Sequence, residues 1–405
     1  MINNEEIILP AHKSDKIDCL THLDTSSDVI SRQSPFDYQS LFNSFHELKK
    51  PILFKGSIQN YQLNIFRKLS EFSLDDPIEK GQTYIIHERG KIRCIVTTPI
   101  SVRVPVHSLC VNCLIPTLKK YLIYDNCASL KGRGIEQQRQ RLKVHLMRYH
   151  RQHKTNQGYV LLGDFSKYFD NLDHKKVMLA LKEKIRDPVI LDYVQRIINN
   201  FCPDLSKCSD EEIKSFEENK AVFNSINYPR FSKKSIKTIH KSVDIGSEVS
   251  QIIGVFYPTR LDNYVKIVKS CKFYGRYMDD FYIIHSDLMF LKQLEKQLFT
   301  ICKELGIFLN PHKTHIVKLE KGFKFLKIKY LLTKTGKVIM RQNSAFFKRE
   351  TAKLKALKRL MLKNKVSFNE IELQFRSWIG NAKRFNNQKS VQQSINFYKT
   401  TFRSN

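Results

Sequence analysis

The sequence predicts an α+β fold, and three observations carry that reading. Tyr159–Leu162 is a short, wholly apolar run ending at Gly163-Asp164, the mark of a buried strand. Cys271–His285 reads strand, turn, strand, with Asp279 and Asp280 at the tip. Met289–Leu305 is an amphipathic helix, with Phe290, Leu294, Leu298, Ile301 and Leu305 on one face.

The remaining elements follow in order. Tyr38–Leu48 and Tyr61–Phe72 are helix-like and bounded by Ser, Asp and Pro. Thr83–Glu88 and Lys91–Thr97 flank Arg89-Gly90 with β-branched residues on both sides, which predicts a hairpin. Val102–Tyr121 is apolar at helical spacing, Lys131-Gly-Arg-Gly134 breaks the pattern, and Ile135–His153 reads as a long basic helix. His174–Lys184 is helical. Cys202–His240 is polar, carries the run SDEEIKSFEENK and reads as a surface insertion. Ser250–Lys269 is helical, with Pro258 kinking it or marking a start. Phe323–Tyr330 and Lys337–Arg341 suggest a second hairpin, and from Ser344 the chain is helical and strongly basic.

Composition narrows the function. The 405 residues allow two or three packed units, and 41% hydrophobic content excludes a disordered basic tail as the whole chain. Lys and Arg total 69 against 39 Asp and Glu, a formal +30. Such a surplus repels itself unless something anionic binds, nucleic acid first and an anionic membrane second. The surplus is uneven: residues 311–405 hold 23 Lys+Arg against four Glu. No run of 18 apolar residues is evident, so no membrane span is expected. The first residues, MINNEEIILPAHKSDK, place acids where a signal peptide needs a basic region, so the expectation is a cytoplasmic protein. Nine irregularly spaced cysteines argue against a disulfide framework. Cys110 and Cys113 form one CxxC without a second pair, so zinc is not expected there.

Three carboxylates stand out. Asp164 ends the apolar strand, and the adjacent Asp279 and Asp280 sit between Tyr-rich and Ile-rich arms. Aspartate is depleted in strands and favoured in turns, so a plain hairpin turn is one reading of the pair. Metal chemistry is the other. Nucleotidyl transfer uses two Mg²⁺ ions, and Mg²⁺ takes hard oxygen ligands, typically one or two carboxylates plus substrate phosphates.

At this point the residues resemble a family. Leu162-Gly-Asp164-Phe-Ser-Lys-Tyr-Phe169-Asp-Asn-Leu-Asp-His174 is similar to the first catalytic motif of reverse transcriptases, and Tyr277-Met-Asp-Asp280 to their YxDD box. The resemblance covers roughly residues 83–340 and implies a right-hand polymerase fold. It implies an N-terminal extension (1–80), fingers (81–158), a palm of antiparallel strands backed by helices (159–320, with the insertion near 202–240), then primer grip and helical thumb (321–405). It implies Asp164, Asp279 and Asp280 as ligands of two Mg²⁺ ions, with Mn²⁺ as an alternative, and Lys313 in Leu309-Asn-Pro-His-Lys313-Thr314 as the residue that protonates pyrophosphate. Phe169 matches the steric gate that excludes a ribose 2′-hydroxyl, with a plain core Phe as the bland alternative. Lys91 and Arg93 match the basic fingers residues that hold the triphosphate. Gly246, in Asp244-Ile-Gly246-Ser-Glu-Val-Ser250-Gln251, belongs to the nucleotide-side motif. Arg133, Tyr277, Lys324, Lys327, Lys353 and Arg359 fall where the family contacts nucleic acid, Lys324 and Lys327 in the segment resembling a primer grip.

The implied activity is RNA-templated DNA synthesis, with an RNA template, DNA product, deoxynucleoside triphosphates and a dedicated noncoding RNA as partners, alone or in a homo- or hetero-oligomer, and no membrane. Ile245 and Gln251 replace the usual Gln and Pro, as in diversity-generating retroelement enzymes. Ser101-Val-Arg103-Val-Pro-Val-His107 replaces the usual fingers pattern and leans toward an antiphage-defence enzyme; a retron enzyme is a third possibility. Phe169 and Tyr277 argue against an RNA-dependent RNA polymerase, and the retained carboxylates against a non-catalytic RNA-binding relic.

Overall fold

The computed structural model describes residues 34–402 except Arg89, Phe201, Cys202, Asp204 and 229–236. The predicted extension therefore lies outside the described residues over 1–33, as do Arg89 of the hairpin turn and parts of the predicted insertion.

Three helices open the described chain: α1 (Tyr38–Lys49), α2 (Gly56–Leu63) and α3 (Ile65–Ser70). They bury Leu41, Phe45, Ile58, Ile65 and Leu69 against Val104. The single helix expected over Tyr61–Phe72 is instead broken at Asn64, whose side-chain amide donates to the Asn60 carbonyl. Asparagine competes with the backbone in this way and so favours helix ends. β1 (Gln82–Glu88) and β2 (Lys91–Thr97) form the antiparallel hairpin.

A continuous helical rod follows over Ile100–Tyr121: α4 (Ile100–Leu109), a π-helical turn Cys110–Leu114, α5 (Ile115–Leu118) and a 3₁₀ turn. By length and composition alone this rod could cross a membrane. Its Val102, Val106, Leu109, Leu114 and Leu118 are instead packed in the main core. His107 on α4 bonds Glu248 through Nδ1 at 2.7 Å and Glu47 through Nε2 at 3.2 Å, tying three helical segments together.

The basic helix α6 runs over Ile135–His153 and ends on Lys154 in a left-handed conformation. β3 (Tyr159–Asp164) is followed by α7 (His174–Lys182), α8 (Pro188–Asn199), α9 (Asp210–Glu217) and α10 (Glu248–Phe256). Pro258, which lacks an N–H, separates α10 from α11 (Thr259–Asn263), so the expected long helix is two. β4 (Tyr274–Tyr277), β5 (Asp280–His285), α12 (Leu288–Leu305) and β6 (His315–Lys318) complete the central region.

The central sheet is antiparallel with order β4-β5-β3-β6. Side chains alternate across a strand, so its two faces build different cores. Leu161, Phe281 and Ile283 point into the main core with Leu291, Leu294 and Leu298 of α12 and Val249 and Ile253 of α10. Val160, Leu162, Tyr282 and Ile284 point the other way, onto Leu142, Leu146 and Tyr149 of α6. That second core is closed by three further strands, β7 (Phe323–Phe325), β8 (Ile328–Leu332) and β9 (Val338–Gln342). The second hairpin expected from sequence is thus a three-stranded sheet. Phe323–Tyr330 folds back on itself at Leu326 and Lys327, both at positive φ.

The chain ends in α13 (Ser344–Leu362), α14 (Phe368–Lys383) and α15 (Gln388–Phe402), packed around Leu354, Ile371, Phe375, Ile379 and Tyr398.

Candidate active site

Asp164 is the last residue of β3 and pairs in register with Asp280, the first of β5. Tyr277 pairs with Asp280, which leaves Met278 and Asp279 as a two-residue hairpin tip. Two-residue hairpin turns demand positive φ, and Met278 supplies it at +59°. A non-glycine residue there is strained, so something must hold it. Arg276, fully buried, does so: its Nη1 donates to the Met278 carbonyl at 2.8 Å. The same guanidinium forks onto Asp262 of α11 at 2.8 and 2.7 Å and donates to the Val255 carbonyl of α10 at 2.8 Å. Asp262 is also fully buried and accepts the Tyr274 hydroxyl at 2.5 Å. Gly163 stands opposite Phe281, and a Cβ there would lie 2.1 Å from its ring, so only glycine fits beside Asp164.

The polypeptide after α12 runs alongside β3. Ser166 N–H donates to the Phe308 carbonyl at 2.7 Å and Asn310 N–H to the Asp164 carbonyl at 2.8 Å. This delivers Lys313, whose Nζ reaches both Asp164 carboxylate oxygens at 2.7 and 2.8 Å. A single cleft of about 880 Å³ is lined by Asp164, Asp279, Lys313, Lys91, Arg93 and Phe169. Residues from four separate stretches of sequence thus meet in one place.

Burial, then the neighbouring Asp164 charge, raises the carboxyl pKa of Asp279. Burial, then Asp279 and Asp164, pushes Asp280 up to about 7. Crowded carboxylates hold protons unless a cation replaces them. Among the described residues no three His, Cys, Asp or Glu side chains form a ready metal cage. Asp164 and Asp280 are paired in register, Asp279 directly precedes Asp280, and Lys313 bonds both carboxylate oxygens of Asp164. The donor set still fits Mg²⁺, which binds through one or two carboxylates and keeps waters and substrate oxygens for the rest.

Phe169 is half-buried and its ring lies against α10, where a Cβ on Gly254 would sit 3.0 Å from the ring. The sequence reading missed Gly254, because a glycine inside an apolar helix carries no signal of what packs on it. Arg93 pairs with Glu88 across the β1–β2 hairpin at 3.2 Å.

Other expected site residues lie elsewhere. Gly246 is at φ +143°, and a Cβ there would meet the Val96 carbonyl at 2.6 Å. It lets the loop pass close to β2, while Ile245 rather than Gly246 lines the cleft. Arg133 is not a cleft residue: its guanidinium donates to the Tyr124 and Asn126 carbonyls at 3.2 Å and lies over the Tyr124 ring. Tyr277 is half-buried beside the tip rather than in the cleft lining. Lys324 and Lys327 are exposed on the β7–β8 unit, and Lys353 and Arg359 are exposed on α13, so none of these four meets the cleft.

The segment read as a surface insertion carries α9, which buries no residue, and also reaches inward. Its Leu205, Cys208, Phe223 and Ile239 form a small core, and Val222, Asn224, Ser225, Ile226 and Asn227 line the cleft. This was not legible because the docking is made by the side chains of Asp170 and Asn171, some fifty residues upstream.

An antiparallel sheet backed by helices, carrying carboxylates on a strand end and a hairpin tip and facing a basic hairpin, is the right-hand polymerase fold. Comparison with known proteins agrees. Residues 78–330 match the family model for reverse transcriptase (RNA-dependent DNA polymerase), and the chain belongs to that family. Among solved structures it is similar to telomerase from Candida albicans in complex with a TWJ fragment of telomeric RNA. That match has a TM-score of 0.52 at 14% identity, over 85% of this chain and 58% of the other, so this chain spans less than two thirds of that protein. Apo telomerase from Candida tropicalis gives 0.49 at 14% identity, over 86% and 64%. At such identity the likeness is one of fold. No curated protein matches the sequence.

Proposed function

We propose that the chain synthesises DNA on an RNA template by nucleotidyl transfer. The observation that carries this is the cleft in which Asp164, Asp279, Lys313, Lys91, Arg93 and Phe169 meet. Asp164 and Asp279, supported by Asp280, are the residues to hold Mg²⁺. Bound Mg²⁺ supplies activation of the primer 3′-hydroxyl and neutralisation of the leaving phosphates. Lys91 and Arg93 hold the triphosphate, Arg through a planar fork suited to phosphate. Lys313, whose Nζ lies beside Asp164, gives a proton to pyrophosphate on this reading. The Phe169 ring excludes a 2′-hydroxyl. On this reading, residues 81–158 act as fingers, 159–320 as palm and 321–405 as primer grip and thumb. Incorporation of deoxy- against ribonucleotides tests the gate: Phe169→Val should admit ribonucleotides, and unchanged selectivity would remove Phe169 from the role.

We further propose a cytoplasmic role in antiphage defence with a dedicated noncoding RNA. The divergent segment Ser101–His107 supports it. Sequencing nucleic acid copurified with the chain tests this. One structured RNA with its complementary DNA is expected; copies of a variable repeat would assign diversity generation instead.

A further inference from the structure

We propose that Val222–Asn227 forms a substrate-contacting wall that binds the sugar and base end of the incoming deoxynucleoside triphosphate. This rests on the polymerase reading above. The segment lines the same cleft as Asp164, Lys91 and Phe169. It is fixed there by a side-chain clamp. Asn171 donates through Nδ2 to the Phe223 carbonyl at 3.0 Å and accepts the Phe223 N–H at 2.8 Å, with both residues fully buried. Ser225 donates to Asp170 at 2.5 Å. Asp170 and Asn171 directly follow Phe169, so the wall is bolted to the turn that carries the gate. On its other side the short turn Ser225–Asn227 packs on β2, the strand of Lys91 and Arg93.

The chemistry of the wall selects the end of the nucleotide. Val222–Asn227 carries no charge, whereas Lys91, Arg93, Lys167 and Lys313 supply the cations of the cleft. A triphosphate belongs with the cations, which leaves hydroxyl and base N–H donors for the neutral wall. Asn224 has a matching vacancy in its bonding. Its Nδ2 donates to Asn227 Oδ1 at 3.3 Å, while its own Oδ1 is buried with no hydrogen-bond partner among the described residues. Buried acceptors without donors are costly and uncommon. An amide with an unmet acceptor beside a nucleotide cleft is suited to a ligand donor.

The test is equilibrium binding of dGTP, with a C-templating RNA and annealed DNA primer, alongside steady-state extension. Asn224→Ala with Asn227→Ala should weaken dGTP binding and raise its KM by roughly three- to tenfold, the scale of one or two neutral hydrogen bonds. Affinity for primer–template and kcat should stay within about twofold, since neither side chain holds a metal or the primer. Unchanged dGTP affinity in the double variant overturns the wall, as does an equal loss of primer–template affinity. A wild-type chain that binds dGTP without extending primer refutes the polymerase reading while leaving the wall standing. One that binds no nucleotide overturns both.

Discussion

Replacing Arg276 with Met should separate stability from activity. The guanidinium and the Asp262 carboxylate are both fully buried, and no solvent can take over for either partner. Removing one member of a buried pair leaves an uncompensated charge and costs about 3–5 kcal/mol. The Met278 and Val255 carbonyls also lose their donor. Against a typical stability of about 5–15 kcal/mol, this is a large fraction. Urea unfolding should register it as a lower midpoint at unchanged slope. The double variant Arg276→Met with Asp262→Leu removes both charges and should recover most of that stability, because apolar groups of similar volume replace buried pairs well. It should not recover primer extension, since the strained Met278 turn that presents Asp279 still lacks its anchor. If the single variant costs less than about 1 kcal/mol, or the double variant regains full activity, the reasoning fails.

Three further outcomes follow. Gly254→Ala puts a methyl 3.0 Å from the Phe169 ring and should raise the KM for deoxynucleotides several-fold by pushing the ring into the cleft; unchanged kinetics would mean that the ring yields elsewhere. The bond to Glu248 raises the pKa of His107, with burial opposing and Glu47 assisting. A raised folded pKa stabilises fully below the unfolded value and is lost as pH rises through the folded one. The wild type should therefore lose its stability advantage over His107→Gln as pH rises from the ordinary imidazole range, about 6.5, through the raised folded value, seen as converging urea midpoints; a constant difference would contradict it. Lys353→Ala with Arg359→Ala should lower the slope of log affinity for a primer–template duplex against log salt by about 2. An unchanged slope would place the duplex away from α13.

How much of this was legible depended on the kind of interaction. β3, the aspartate hairpin and α12 were readable because a continuous apolar run, Tyr-rich and Ile-rich arms around a turn, and an apolar face at helical spacing are local patterns. Their meeting point was readable only through motif resemblance, since β3 and β5 lie more than a hundred residues apart. The Arg276–Asp262 pair was hidden, because charged residues are ordinarily exposed and nothing local marks these two as buried. The three-stranded sheet was hidden because Leu326 and Lys327 take a turn conformation that their residue types do not advertise. The wall at Val222–Asn227 was hidden by polarity: a stretch rich in Asn and Ser reads as surface, and the distant Asn171 and Asp170 help draw it inward.

The most direct measurement is template-directed extension of a DNA primer on RNA by the purified chain with Mg²⁺, comparing wild type with Asp279→Asn. The account predicts complementary DNA from the wild type and none from the variant, with primer–template binding retained. Equal synthesis by both, or none by either, would contradict it.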